Sequence, residues 1–128
     1  MKKKILIVVA NYYKDISDKL LINCLKTLSK KYRLKIYNAP GAFEIPVIIS
    51  KNLKGFHAAI ALGCVIKGKT PHFEFISQSI NNGLMSLSIN HGKPIGNGVL
   101  TCLSKKQALE RTKKGNEAAK AVISVLSC

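Results

Sequence analysis

A chain of 128 residues fits one domain of ordinary size, and 47% apolar residues with 21% charged ones give it enough core to fold without disulfide staples and exclude a disordered segment. Its 21 Lys and Arg against 6 Asp and Glu leave a net charge of +15, which attracts nucleic acid, membrane surfaces or anionic small molecules. Only Arg33 and Arg111 are arginines, too few for a dedicated reader that depends on bidentate phosphate and base contacts.

The opening "MKKKILIVVANYY" imitates a signal peptide, but its apolar run ends after Ala10, so it reads as a buried strand over Lys4–Ala10. A helix is predicted over Ile16–Lys31, with Leu21, Cys24, Leu25 and Leu28 on one stripe. A second strand covers Leu34–Asn38, followed by a short helix over Phe43–Leu53 that "APGAFEIP" opens. The third strand, Ala58–Val65, is continuously apolar like the first, as befits strands covered on both faces. Next comes "KGKTPHFEFIS", leading into a helix over Phe73–Asn90 with Phe73, Ile76, Ile80, Leu84 and Leu87 on one face and Gly92 as its stop. A fourth strand spans Pro94–Leu103. The last helix starts at Ser104, where "SKKQ" has capping-box spacing, and Gly115-Asn116 is expected to kink it before Ala118–Leu126.

This β-α-β-α-β-α-β-α order predicts one α/β domain over residues 1–128, a three-layer αβα sandwich around a central four-stranded parallel sheet of flavodoxin-like type. No run is long enough to span a membrane. None of the four cysteines forms a C-x-x-C pair, which sets a zinc site aside. Cys24, Cys64 and Cys102 lie in apolar runs and read as small core residues, which suits a cytoplasmic protein.

Ligands bind such sheets beyond the carboxyl ends of the strands. Three of the loops there carry residues that a plain connection does not need. In "KGKTPHF", Pro71 suits a first helical position, Thr70 the cap before it, and Gly68 a close approach. With Lys67 and Lys69 this junction suits an anion, although capping alone also explains Thr70 and Pro71. His72 would sit in the first turn, able to move a proton near neutral pH, with Glu74 available to orient its ring. In "PGAFEIP", Gly41 makes a turn and Glu44 offers an acceptor for a polyol or an amine. Tyr12 and Tyr13 follow the first strand, where a ring can stack on a planar ligand or pack partly into the core.

Taken in order, "NAPGAFEIP", "ALGCVIKGKTPHFEFIS", "GNGVLT", "QALER" and "KGNEAA" resemble lumazine synthase over nearly the whole chain. The resemblance implies a transferase of riboflavin biosynthesis that condenses 5-amino-6-(D-ribitylamino)uracil with 3,4-dihydroxy-2-butanone 4-phosphate. The products are 6,7-dimethyl-8-ribityllumazine, phosphate and water, and neither metal nor organic cofactor takes part. It also implies a homopentamer, free or stacked as twelve pentamers in a shell, with sites between subunits and neither nucleic acid nor membrane as a partner. The start of the chain close to the first strand favours the free pentamer.

Residue by residue, the resemblance implies that Tyr12 stacks on the pyrimidine and that Ala42 and Glu44 line the ribityl pocket, with Gly41 and Phe43 beside them. Val65 and Ile66 would bring backbone groups to the pyrimidine. Lys69 and Thr70 would wrap the phosphate, with Lys67 adjacent, and His72 would transfer the proton. From the neighbouring subunit, Arg111 would bind phosphate and Lys114, with Lys113 next to it, would approach the ring. Tyr13 stands where the family often has Asn, and Asn97 where many members have a ring-packing Phe. The alternatives are a non-catalytic lumazine- or flavin-binding protein and a basic nucleic-acid-binding α/β domain.

Overall fold

The structure, a computed structural model, describes residues 2–69 and 71–128. Four parallel strands, β1 (Lys3–Ala10), β2 (Tyr32–Ala39), β3 (Ala58–Ile66) and β4 (Ile95–Cys102), form one sheet in the order β2-β1-β3-β4. Among the described residues five α-helices accompany them: α1 (Lys14–Thr27), α2 (Ile45–Asn52), α3 (His72–His91), α4 (Lys105–Leu109) and α5 (Lys114–Leu126). The direction of travel across the sheet reverses after β2, so right-handed crossovers place helices on opposite faces. On one face Ile5, Ile7, Val9, Ile60 and Leu62 pack against Ile16, Leu20 and Cys24 of α1 and Ala118, Ala119 and Val122 of α5. On the other, Leu6, Val8, Ala59 and Ala61 pack against Ile45 and Ile49 of α2 and Ile80 and Leu84 of α3. This is the predicted three-layer αβα sandwich, and β1 and β3 are buried on both faces as their unbroken apolar runs require.

Several details differ from the sequence reading. Helix α1 starts two residues earlier than expected and stops at Thr27. Its buried stripe is Ile16, Leu20, Cys24 and Leu28, while Leu21 and Leu25 are half-buried flanks. Strand β2 is longer than predicted, gaining Tyr32 and Arg33 at its start and Ala39 at its end; an edge strand tolerates Arg33, whose charge hid the start. Pro71 is the residue before the first helical one, not the first helical residue. Thr70, predicted as that cap, lies outside the described residues.

The final helical stretch breaks at Glu110–Lys113, ahead of Gly115-Asn116 where the kink was expected. Gly115 sits inside α5 for a packing reason: a side chain there would run into the backbone of Leu20 and Cys24 in α1. The predicted cap does form, with the Gln107 amide donating to Ser104 Oγ at 3.2 Å. Gln107 Oε1 accepts in return from the Leu103 amide at 2.7 Å, one residue before the cap. Gly92 stops α3 as predicted, in the left-handed conformation with φ 60°.

Candidate functional site

Strand β3 runs further than its neighbour. Its pairing with β1 ends at Val9–Leu62, whereas its pairing with β4 continues to Ile66–Cys102. The Lys67 amide extends that ladder by donating to the Cys102 carbonyl at 2.9 Å. The last residues of β3 therefore have a ladder on one side only, at the point where the strand order reverses, and such a crevice is where open α/β sheets bind ligands.

The loops after β1 and β2 wall the crevice. Tyr12, Tyr13, Gly41, Ala42, Phe43, Glu44, Cys64, Val65, Ile66 and Ile76 line a cavity of ≈ 200 Å³. It gathers seven of the site residues that the sequence and the resemblance name in the first two site loops and the strand end: Tyr12, Ala42, Phe43, Glu44, Val65 and Ile66, with Gly41 at the turn. Tyr12 is 74% exposed, so its ring is available to a ligand. It stands edge-on to Tyr13, with ring centroids 4.9 Å apart and planes at 82°. Burial, and then the neighbouring Tyr12, push the Tyr13 phenol upward, keeping it a neutral donor or acceptor. A neighbouring cavity of ≈ 380 Å³ between α2 and α3 shares Phe43 and Glu44 and extends the surface toward Ser79 and Ile80.

Among these lining residues, Ile76 and Cys64 were not assigned to a site from sequence. Ile76 was read only as part of the apolar face of α3, and its place four residues after His72 was the available signal. Cys64 was read as core, which it also is, and burial pushes its thiol up to about 12. It is an inert wall and not a nucleophile at neutral pH.

The "KGKTPHF" junction lies at the same sheet end. Lys67, Lys69 and His72 are exposed, His72 as the first residue of α3. Lys67 Nζ stands 4.0 Å from Glu74 Oε1, so Glu74 faces a lysine partner. The first turn of α1 is tied to α4 by Asp15 and Lys105 at 3.0 Å, and the hydrogen bond from Lys105 lowers the Asp15 carboxyl below its usual range.

Arg111 and Lys114 do not join the loop cavity. With Val99, Leu100, Thr101 and Cys102 they line a separate cavity of ≈ 210 Å³ beside the free edge of β4. The Arg111 guanidinium counters part of the upward push that burial gives the Cys102 thiol. Asn97 sits mid-strand in β4, opposite Ala61, and donates to Asn81 Oδ1 of α3 at 2.9 Å. Among the described residues, no group of three or more His, Cys, Asp and Glu side chains is placed to hold a metal, and no helix is long and apolar enough to cross a membrane.

Comparison with known proteins decides the family. The profile described as 6,7-dimethyl-8-ribityllumazine synthase matches residues 2–128. The chain belongs to the lumazine synthase family. It is 39% identical to the 6,7-dimethyl-8-ribityllumazine synthase of Arthrobacter sp. (strain FB24), over 94% of this chain and 80% of the relative. Against the protein of that name from Buchnera aphidicola subsp. Baizongia pistaciae the identity is 38%, over 98% and 84%. Against that of Afipia carboxidovorans it is 38%, over 96% and 83%. The family is one of riboflavin-biosynthesis transferases, and the match favours that activity over the non-catalytic and nucleic-acid-binding alternatives.

Proposed function

We propose that this chain, as a single lumazine synthase domain, condenses 5-amino-6-(D-ribitylamino)uracil with 3,4-dihydroxy-2-butanone 4-phosphate, releasing phosphate and water. The observation that carries the assignment to this site is the one-sided end of β3, walled by Tyr12 and the Gly41–Glu44 turn. A planar uracil needs donors and acceptors at its edge and an aromatic face. The terminal backbone of β3 offers the first and Tyr12 the second. Glu44 accepts from the ribityl hydroxyls, next to Ala42. The reaction joins an arylamine to a ketone as a Schiff base, loses phosphate and closes a ring. These steps need two substrates in register, a cationic phosphate clamp and a proton carrier.

Lys69, with Thr70, forms one half of that clamp and His72 carries the proton. Arg111 supplies the other half from a neighbouring copy, whose Lys114 approaches the ring, because within one chain both lie beside β4 and apart from the loop cavity. The assembly on this reading is a homopentamer in the cytoplasm. Mixing the protein with both substrates and following lumazine absorbance and fluorescence against a protein-free control tests the assignment. Formation at the spontaneous rate, with the protein folded, would overturn it.

A further inference from the structure

Charge is unevenly distributed along the strand direction. Five of the six acidic residues, Asp15, Asp18, Glu44, Glu74 and Glu110, lie in the loops and helix ends at the carboxyl edge of the sheet, and Glu117 lies in the first turn of α5. The amino-terminal edge carries no Asp or Glu. Its entering segments are basic instead: "KKK" at 2–4, "KKYR" at 30–33 and "KNLKG" at 51–55, all of whose Lys and Arg residues are exposed.

Next to that edge the sheet is partly uncovered. Helix α2 packs on β1, and α3 on β3 and β4, which leaves most of β2 open on that face. Strand alternation puts Arg33, Lys35 and Tyr37 there in a row, with Lys4 paired to Arg33. Lys4, Arg33, Leu34, Lys35, Tyr37 and Phe56 line a groove of ≈ 310 Å³. The Lys35 ammonium stands 5.4 Å from the centre of the Tyr37 ring. Nearby, His57 Nδ1 accepts from the Lys4 amide at 2.9 Å, which leaves the ring's proton on Nε2 as a further donor.

We propose that this edge and the open face of β2 bind single-stranded nucleic acid, as a surface separate from the synthase site. A small anion would use one cluster, whereas these cations follow one another across three entering segments, as a polymer's phosphates do. Lysine in place of arginine suits contact with phosphates without reading sequence. The half-buried rings of Tyr37 and Phe56 beside the cations form a concave stacking platform for unpaired bases. A membrane surface would instead call for apolar groups that protrude.

The test is fluorescence anisotropy of the assembled protein with a labelled oligo(dT) of about twenty nucleotides, between about 50 and 200 mM salt. Binding should fall linearly on a log–log salt plot. The double variant Arg33→Glu/Lys35→Glu should weaken it at least about tenfold and reduce the slope by at least about 1.4, roughly 0.7 per lost phosphate contact. The pair Lys30→Glu/Lys31→Glu, in the connection before β2, should act likewise. Tyr37→Leu should weaken binding several-fold with the slope unchanged. Lys120→Glu, exposed on α5, should do far less, and lumazine formation should survive in every variant. The proposal is overturned by no binding at low salt, by an equal loss in Lys120→Glu, by Tyr37→Leu binding like the parent, or by anionic vesicles engaging the face while the oligonucleotide does not.

Discussion

Gly115→Ala is a one-methyl change on which two physical effects disagree in sign. Helix propensity favours alanine over glycine by at most about 1 kcal/mol at this second position of α5. Packing opposes it, because the new Cβ would stand 3.0 Å from the Leu20 carbonyl carbon and 3.1 Å from the Cys24 nitrogen, and closer still to the Leu20 oxygen. Those neighbours are backbone inside α1 and cannot rotate away, so α1 and α5 must separate. Overpacking of this kind costs about 1–3 kcal/mol, occasionally more. A rigid backbone contact belongs at or above the top of that range, leaving a net loss of about 2 kcal/mol. For a domain of this size that lowers the melting temperature by roughly 6–12 °C. Thermal unfolding of parent and variant at one fixed protein concentration reads it, since assembly makes the midpoint concentration-dependent. A midpoint that rises by a few degrees, as propensity alone requires, would refute the close approach of the two helices.

Other outcomes follow from the site. His72→Ala should slow turnover roughly ten- to a thousandfold, the usual share of a positioned proton carrier; unchanged steady-state kinetics would remove His72 from the reaction. Arg111→Ala should raise the Michaelis constant for the butanone phosphate at least about tenfold, by loss of a charged hydrogen bond of about 1.5–3 kcal/mol, and an unaltered constant would count against the clamp. Burial pushes the Cys24 and Cys64 thiols up to about 12 from the ordinary 9.0. The native state therefore holds protons that the unfolded chain releases above about pH 9, and stability must fall as pH rises through that window. Denaturant midpoints that stay level between about pH 8 and 10.5 would contradict that burial.

The fold was legible where burial is one-sided or complete. The unbroken runs of β1 and β3 could only be strands with both faces covered. The punctuation at Ser104 and Gly92 marks helix ends by backbone chemistry that needs no tertiary knowledge. Helix α1 was harder, since it touches the sheet on one side and α5 on another. Its apolar residues span more than one stripe, and the choice of Leu21 and Leu25 over Ile16 and Leu20 could not be corrected without the partner helix. Gly115 misled for the same reason, because a glycine that breaks a helix and one that lets two helices touch look alike in sequence. In the site, most residues of the loop cavity were legible, since a parallel sheet sends all its strand ends to one edge; Ile76 and Cys64 were not, because each also packs into the core. The place of Arg111 was not, because it depends on where the chain turns between α4 and α5.

That placement makes the strongest test of a shared site. The loop cavity belongs to β1, β2 and β3, and the Arg111 cavity to the free edge of β4. If both act on one pair of substrates, the β4 edge of one copy must meet the loop end of the next. A contact between two different surfaces is heterologous, and repeated in one rotational sense it closes into a ring. Arg111→Ala and Glu44→Ala would then damage opposite halves of the same site. Unfolded together in equal amounts and reassembled, they should place an intact loop half against an intact Arg111 half at about one junction in four, since each half is undamaged with a chance of about one half. About a quarter of the parent activity should return from two variants that are each impaired alone. No recovery beyond the sum of the two, in assemblies shown to contain both chains, would mean that Arg111 and Glu44 serve the same copy or different tasks.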